Sequence, residues 1–319
     1  PSFVSSLSGR MFFLGVLPTV LVIGAIVVGS ALQGYRSVRK AEEQVLAADA
    51  GGAAAELSVR NDRWNNVASI LAQNQIGGLF GKRKETIENL RLINGLSDLN
   101  LNAFVLYEPN ADGQDAAALK GDVSRESMDA TGRFVPIWTT TAWNENGANT
   151  DRLSAGAGVD GMDAYSAAKA QFAKTGRAAA VITEPHLMDG ATVVSHAFPI
   201  VVNGKFAGVT GVDRSLRVLS QITAGIKARS GADVLVISPA GRIVATTIET
   251  EGGESLNMKM LSETAFAPVA ARWKSMTAGG SVDVFEAHDP MLNEECFYGV
   301  ERTNTGGWTV VVRRTSAEV

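Results

Sequence analysis

The hydrophobic pattern changes character twice along the chain. From Met11 to Tyr35 it reads MFFLGVLPTVLVIGAIVVGSALQGY, with no charge between Arg10 and Arg36. A helix needs about 20 apolar residues to cross a bilayer, whereas the apolar region of a secretory signal is typically about 7 to 15. Residues 11–35 therefore read as a membrane span after a short cytoplasmic stub, residues 1–10. From Ser37 to about Gln75 the composition turns to Ala, Glu, Gln and Leu, all strong helix formers, without proline, and predicts one long helix leaving the membrane, residues 36–78. Leu57, Trp64 and Leu71 recur every seventh residue, with Val67 and Ile70 filling the same side. Such a seam packs on its own domain or on a second copy; we expect a parallel homodimer with this helix near its two-fold axis. Gly77-Gly78 ends the helix, and Lys84 to Asn94 reads as a shorter amphipathic one stopped by Gly95.

From Leu101 the pattern becomes short apolar, β-branched or aromatic runs separated by Gly, Asn, Asp and Pro. Strands are predicted at Asn102 to Tyr107, Arg133 to Thr139, Ala179 to Thr183, Ala191 to Pro199 and Phe206 to Val212. Asn203-Gly204 between two apolar runs predicts a hairpin. Arg214 to Ser230 reads as a helix, with Leu216, Leu219, Ile222 and Ile226 on one face. A second group follows: ADVLVISPAGRIVATT is strand, turn and strand, and SVDVFEAHDP, EECFYGVE and GWTVVVRRT supply three more. The predicted fold class is α+β, with a first antiparallel-sheet module at 79–229 and a second at 230–319.

Composition narrows the function. The chain has 319 residues, with 29 Lys+Arg against 33 Asp+Glu and a formal net charge of −4, so no basic surplus exists to neutralise a nucleic-acid backbone. One cysteine, Cys296, and three scattered histidines offer no zinc-ligand spacing, and no metal or cofactor is expected. There is no nucleophile elbow, phosphate-cradling loop or His-Glu-x-x-His, so no enzyme is expected. Arg10 alone precedes the span while Arg36, Arg39 and Lys40 follow it, which opposes the positive-inside rule; a large downstream domain translocates regardless of such local charge.

Five strings in order carry a resemblance: Tyr107-Glu108-Pro109-Asn110-Ala111-Asp112-Gly113-Gln114-Asp115; Gly132-Arg133-Phe134-Val135-Pro136-Ile137-Trp138; Thr183-Glu184-Pro185-His186; Pro199-Ile200 with Asn203-Gly204 and Gly208-Val209-Thr210-Gly211-Val212-Asp213; and Gly307-Trp308-Thr309-Val310-Val311. Over residues 30 to 319 the chain resembles the double Cache extracellular sensor domains of bacterial chemoreceptors. The resemblance implies two PAS-like modules, an inner-membrane location with the main domain periplasmic, and a ligand pocket in the membrane-distal module. It also implies a second span and an output domain beyond Val319, which acts through cytoplasmic signalling proteins. Where the family tends to carry pocket aromatics, Ile137 and His186 stand instead, and Tyr165 stands where a Tyr-Tyr pair is common.

A pocket for a small amine-bearing or zwitterionic metabolite needs an aromatic wall and an opposite charge. Trp138, Trp143 and Tyr165 are candidate walls, Asp163 and Asp213 candidate ammonium partners, and Tyr107 and His186 are counted with them. Each has a structural alternative. Trp138 suits a core equally, and Asp213, between an apolar strand and a helix, suits an N-cap. Arg133 either meets a ligand carboxylate or braces the Glu108 or Asp112 turn, the brace being preferred. His186, in a turn, and His196, in a strand, read as structural, and Asp112, Gln114 and Asp115 as turn residues rather than cation ligands. The second module, with a small core around Val234, Leu235, Ile237, Phe285, Phe297 and Trp308, is expected to transmit rather than bind. The alternatives to a chemoreceptor are the same ectodomain on a sensor kinase or a cyclic-dinucleotide enzyme, or a ligand-free periplasmic scaffold.

Overall fold

The computed structural model describes residues 17–96, 100–141, 150–188, 191–250, 252–276 and 282–316. Helix α1 runs unbroken from Leu17 to Asn74 and closes in a π-turn, Gln75–Leu79, where Gly78 takes a φ of 127°. At about 1.5 Å per residue it is roughly 87 Å long. Its first part exposes Val20, Leu21, Val22, Ile23, Ile26 and Val28, and α1 is long and apolar enough to cross a membrane. Helix α2 spans Arg83–Asn94.

The first sheet contains β1 (Asn100–Tyr107), β2 (Pro136–Thr141), β3 (Thr150–Ala155), β4 (Val181–Ile182), β5 (His186–Met188), β6 (Ala191–Val202) and β7 (Lys205–Ser215), in the order β3-β2-β1-β7-β6-β4, with β5 also on β6. Every pairing is antiparallel. Between β6 and β7, Asn203 and Gly204 take φ of 50° and 74°. That pair of positive φ values is the hairpin turn whose twist matches the strands, as Asn-Gly predicts. Helix α3 (Asp163–Thr175) covers one face, and α4 (Arg217–Ser230) leads onward. The second sheet contains β8 (Asp233–Ile237), β9 (Ile243–Thr246), β10 (Asp283–Asp289), β11 (Glu294–Arg302) and β12 (Thr309–Thr315), in the order β10-β11-β12-β8-β9. Helix α5 (Ala267–Met276) packs on its far face.

One face of α1 serves both sheets. Leu46, Ala50, Ala53 and Leu57 join Val234, Phe297, Trp308 and Val310 of the second sheet, while Trp64 and Leu71 join Ala103, Val105 and Tyr107 of the first. Burial of each large side chain contributes about 1.5–3 kcal/mol. Gly299 marks the close approach: a Cβ there would lie 2.8 Å from the Leu46 carbonyl oxygen. The expected dimer seam is thereby corrected. Leu57, Trp64 and Leu71 are 2%, 5% and 0% exposed, because the apolar surface they meet belongs to their own sheets.

Three other expectations change. Strand β3 and helix α3, which carries Tyr165, lie where the sequence pattern predicts no element. His186 is in β5, not a turn. Helix α4 begins at Arg217, with Asp213 still inside β7.

Candidate ligand-binding site

Alternation along a strand sends successive side chains to opposite faces, and this sorts the candidate residues. On the first sheet, Phe104, Leu106, Ala197 and Val209 face α3, and Ala103, Val105, Tyr107 and Val212 face α1 and α2. Asn102, Asp213 and Ser195 are register partners on β1, β7 and β6, and belong to the α3-side set, called here the inner face. There, Asn102 Nδ2 donates to Asp213 Oδ2 at 2.9 Å, and Ser195 Oγ donates to Oδ1 at 2.6 Å. Thr183 secures Ser195 from the neighbouring segment, accepting from its backbone N–H at 2.9 Å. His186 pairs with Val193 across β5 and β6, and its ring bonds the Glu184 carbonyl through Nδ1 at 3.2 Å.

Asp213 is 2% exposed. Burial pushes its carboxyl above the ordinary carboxylate range, against the opposing pull of its Ser195 and Asn102 hydrogen bonds and of nearby His186. No Lys or Arg pairs with it among the described residues. Asn102 Oδ1 is also buried without a partner, its Nδ2 facing both Asp213 Oδ2 and Met188 Sδ. A carboxylate and an amide oxygen, both acceptors with capacity to spare, thus lie in one buried row. What they lack is a donor, best a cationic one. Two residues further along β7, a cleft of about 340 Å³ opens between the sheets, lined among others by Thr192, Ser215, Leu216, Arg217, Val244 and Asn257, within the size range of small-molecule sites.

The opposite end of the inner face is closed. Tyr165 is 1% exposed, donates to Glu108, and accepts from Arg133 Nη2 at 2.8 Å. Arg133 also donates through Nε to the Tyr107 carbonyl at 2.5 Å and pairs with Asp160 at 3.1 Å, while Lys169 pairs with Glu108 at 2.6 Å. Burial raises the Tyr165 hydroxyl, with Glu108 adding to the effect. Arg133 is a brace, but of the Tyr107 strand end and α3 rather than of the Glu108 or Asp112 turn directly. Tyr165 meets Phe206 at 6.0 Å, seven residues from Asp213 along β7, which is about 23 Å at a strand's rise.

The remaining expectations scatter. Trp138 and Tyr107 lie on the helix face, packed in the core beneath α1; the register of Trp138 with Ala103 turns it away from Asp213, so it is not a wall of this row. The Tyr107 hydroxyl donates to Gln75 at 2.6 Å, and burial raises it. Asp163 is exposed in the first turn of α3. Trp143 lies outside the described residues. Asp112 and Asp115 clamp Arg83 at 2.8 and 2.6 Å, a structural clasp. Reasoning from the sequence missed Asn102, Ser195 and Thr183. The readable signal was a polar side chain inside an apolar strand, as in LNAFVLY and TVVSHAF.

No family model matches the chain, and no curated protein matches it. Solved structures do. The extracellular domain of the putative histidine kinase mmHK1S-Z3 is 22% identical with a TM-score of 0.69, covering 88% of this chain and 95% of that one. The periplasmic sensory domain of the Campylobacter jejuni chemoreceptor Tlp1 is 12% identical with a TM-score of 0.65, covering 88% and 97%. The ligand-binding domain of the Pseudomonas fluorescens chemoreceptor CtaA, solved in complex with L-isoleucine, is 15% identical with a TM-score of 0.55, covering 89% and 96%. The chain has the Cache-like fold of extracytoplasmic sensory domains, in agreement with the resemblance carried by its motifs.

Proposed function

We propose that this chain is the ligand-sensing, extracytoplasmic region of a transmembrane chemoreceptor. In this reading residues 11–35 are the anchor, the first module is membrane-distal and binding, and the second is membrane-proximal and transmitting. The ligand is a small amine-bearing or amino-acid-like metabolite whose ammonium group meets Asp213 and Asn102 Oδ1, beside Ser195 and His186. The observation that carries this is Asp213: a buried carboxyl with neutral hydrogen-bond donors and no paired cation. A bound ammonium would supply the missing charge and favour the ionised carboxylate. L-isoleucine, named with the P. fluorescens domain, and L-Arg, named with the Pseudomonas aeruginosa PAO1 receptor PctB, have this chemistry.

Calorimetry on the purified chain against single amino acids and simple amines tests it. Asp213→Asn keeps the shape, removes the charge, and is expected to lose about 100-fold or more in affinity, since losing one partner of a buried charge pair costs about 2–5 kcal/mol. Undiminished binding, or tightest binding to an amine-free anion, would sink the reading. A histidine kinase is the second reading of the output, because extracellular domains of that class share the fold; ligand-dependent autophosphorylation of the native receptor would favour it over a swimming response.

A homodimer is retained on a different face. Val38, Val45, Val59 and Ile70 are 50%, 42%, 69% and 48% exposed, and the first three are separated by multiples of seven residues on the side of α1 away from both sheets. Two copies anchored in one membrane present these seams in parallel. Cysteine at Val59 is expected to crosslink in membranes and cysteine at Leu57 is not; equal crosslinking would break the assignment.

A further inference from the structure

Asn61 is fully buried on α1, and its one side chain reaches both modules. Its Oδ1 accepts from Arg214 Nη2 at 3.2 Å, and its Nδ2 donates to the Thr305 carbonyl at 2.9 Å. Arg214 follows Asp213 on β7, while Thr305 lies in the turn between β11 and β12 of the second sheet. Two further bonds fasten that turn to α1: Asn304 N–H to Ser58 Oγ at 2.9 Å, and Thr305 Oγ1 to Asp62 at 2.6 Å.

Arg214 is an expensive residue to keep here. It is 4% exposed, pairs with no carboxylate among the described residues, and its Nε is buried without an acceptor. Burial, with Arg60 nearby, lowers its pKa to about 10. A buried, unpaired cation is destabilising where an apolar side chain of similar volume is not, so packing alone gives no reason for it.

Consecutive strand residues leave on opposite faces, so Asp213 grips β1 and β6 on the inner face while Arg214 grips α1 on the other. Rolling β7 about its axis moves both. We propose that Arg214, Asn61 and the Thr303–Gly307 turn form a junction through which the state of Asp213 reaches the second module. Arg214 acts as a positioning residue within it. This rests on the reading of Asp213 as the ligand's contact. A ligand at Asp213 acts through this junction to the extent that it favours one placement of β7, and so of the Arg214–Asn61 bond, over another.

The test is a double-mutant cycle read by amide hydrogen exchange in the full chain, with no ligand present. Asp213→Asn is expected to change exchange of the Asn304 amide by about threefold or more, and that change is expected to vanish in an Arg214→Met background. The same change in both backgrounds, or none in either, overturns the junction. Asn65→Ala removes the partner of His196 on the same helix and touches neither Arg214 nor the turn, so it is expected to leave the coupling intact. Loss of coupling there too would show general loosening of the helix interface and would also overturn it. Should Arg214→Met fail to fold, Asn61→Ala, which removes both the Arg214 and the Thr305 bonds, repeats the cycle with the same criteria. Because no ligand is used, failure here leaves the calorimetric reading of Asp213 standing, and failure of that reading is seen in calorimetry alone.

Discussion

The two modules bury charge in opposite ways. In the second, Arg313 is enclosed by Asp289 at 2.8 Å and Asp233 at 2.5 Å, and Asp289 also receives the Tyr298 hydroxyl at 2.7 Å and the backbone N–H groups of Met291 and Leu292 at 2.8 and 2.9 Å. Although burial opposes it, the net effect of these donors holds the Asp289 carboxyl below its ordinary range. In the first module a buried aspartate, Asp213, and a buried arginine, Arg214, are neighbours in sequence yet cannot pair, because the strand sends them to opposite faces. The second module's ionic core is complete in itself. The first is left with an acceptor on one face and a cation on the other.

The largest expected effect breaks the closed network. Arg313→Met leaves the buried Asp289 without its cation, while Asp233 keeps Lys227 at 2.8 Å, and is expected to cost about 3–5 kcal/mol in denaturant unfolding. Arg214→Met strands no acid, only the Asn61 Oδ1, and is expected to cost about 1–2 kcal/mol or less. Equal losses would erase the contrast.

A smaller effect is read from pH. His196 is buried between β6 and α1, with Nδ1 on Asn65 at 2.9 Å, and burial, reinforced by Arg214, holds its pKa well below the ordinary value. The unfolded chain therefore takes up a proton below about pH 6.5 that the folded chain refuses. Stability is expected to fall as pH drops from there, by up to about 1.4 kcal/mol per unit. Thermal unfolding between pH 7.5 and 5.5 measures this, and His196→Gln should flatten the slope. Asp289 acts lower on the scale: its depressed carboxyl stabilises above the unfolded value and that stability is lost as pH falls below about 4. Asp213, raised, works in the opposite sense, so Asp213→Asn should steepen the acid loss.

The smallest effect distinguishes the two faces of the first sheet. Trp138→Phe is expected to change stability by about 1 kcal/mol or less, since its indole N–H is buried without a partner, and to leave ligand affinity unchanged. A large loss of affinity would return Trp138 to the site.

Local rules made much of this legible. The uncharged N-terminal run from Leu17 onward, residues 1–16 lying outside the described residues, the proline-free helix after it, the Asn203-Gly204 hairpin and the alternating strands of both modules depend on neighbours close in sequence, and they stand in the structure. Strand β3, TDRLSA, and helix α3, DAYSAAKAQFAKT, went unseen because the first is too polar to mark a strand and the second is held by packing against Phe206 and the sheet rather than by a strong periodic face. Period-two alternation separates neighbours on one strand, such as Asp213 and Arg214, but the division of Asn102 and Trp138 between the two faces came from the strand register. Alternation did not show which face α1 would cover, because both faces of this sheet are buried and both read as apolar. That choice separated Trp138 from Asp213, brought Asn102 and Ser195 to Asp213 from distant strands, and turned the Leu57, Trp64 and Leu71 seam inward. A heptad records only that an apolar partner exists; docking the helix across two sheets decided that the partner was the chain itself.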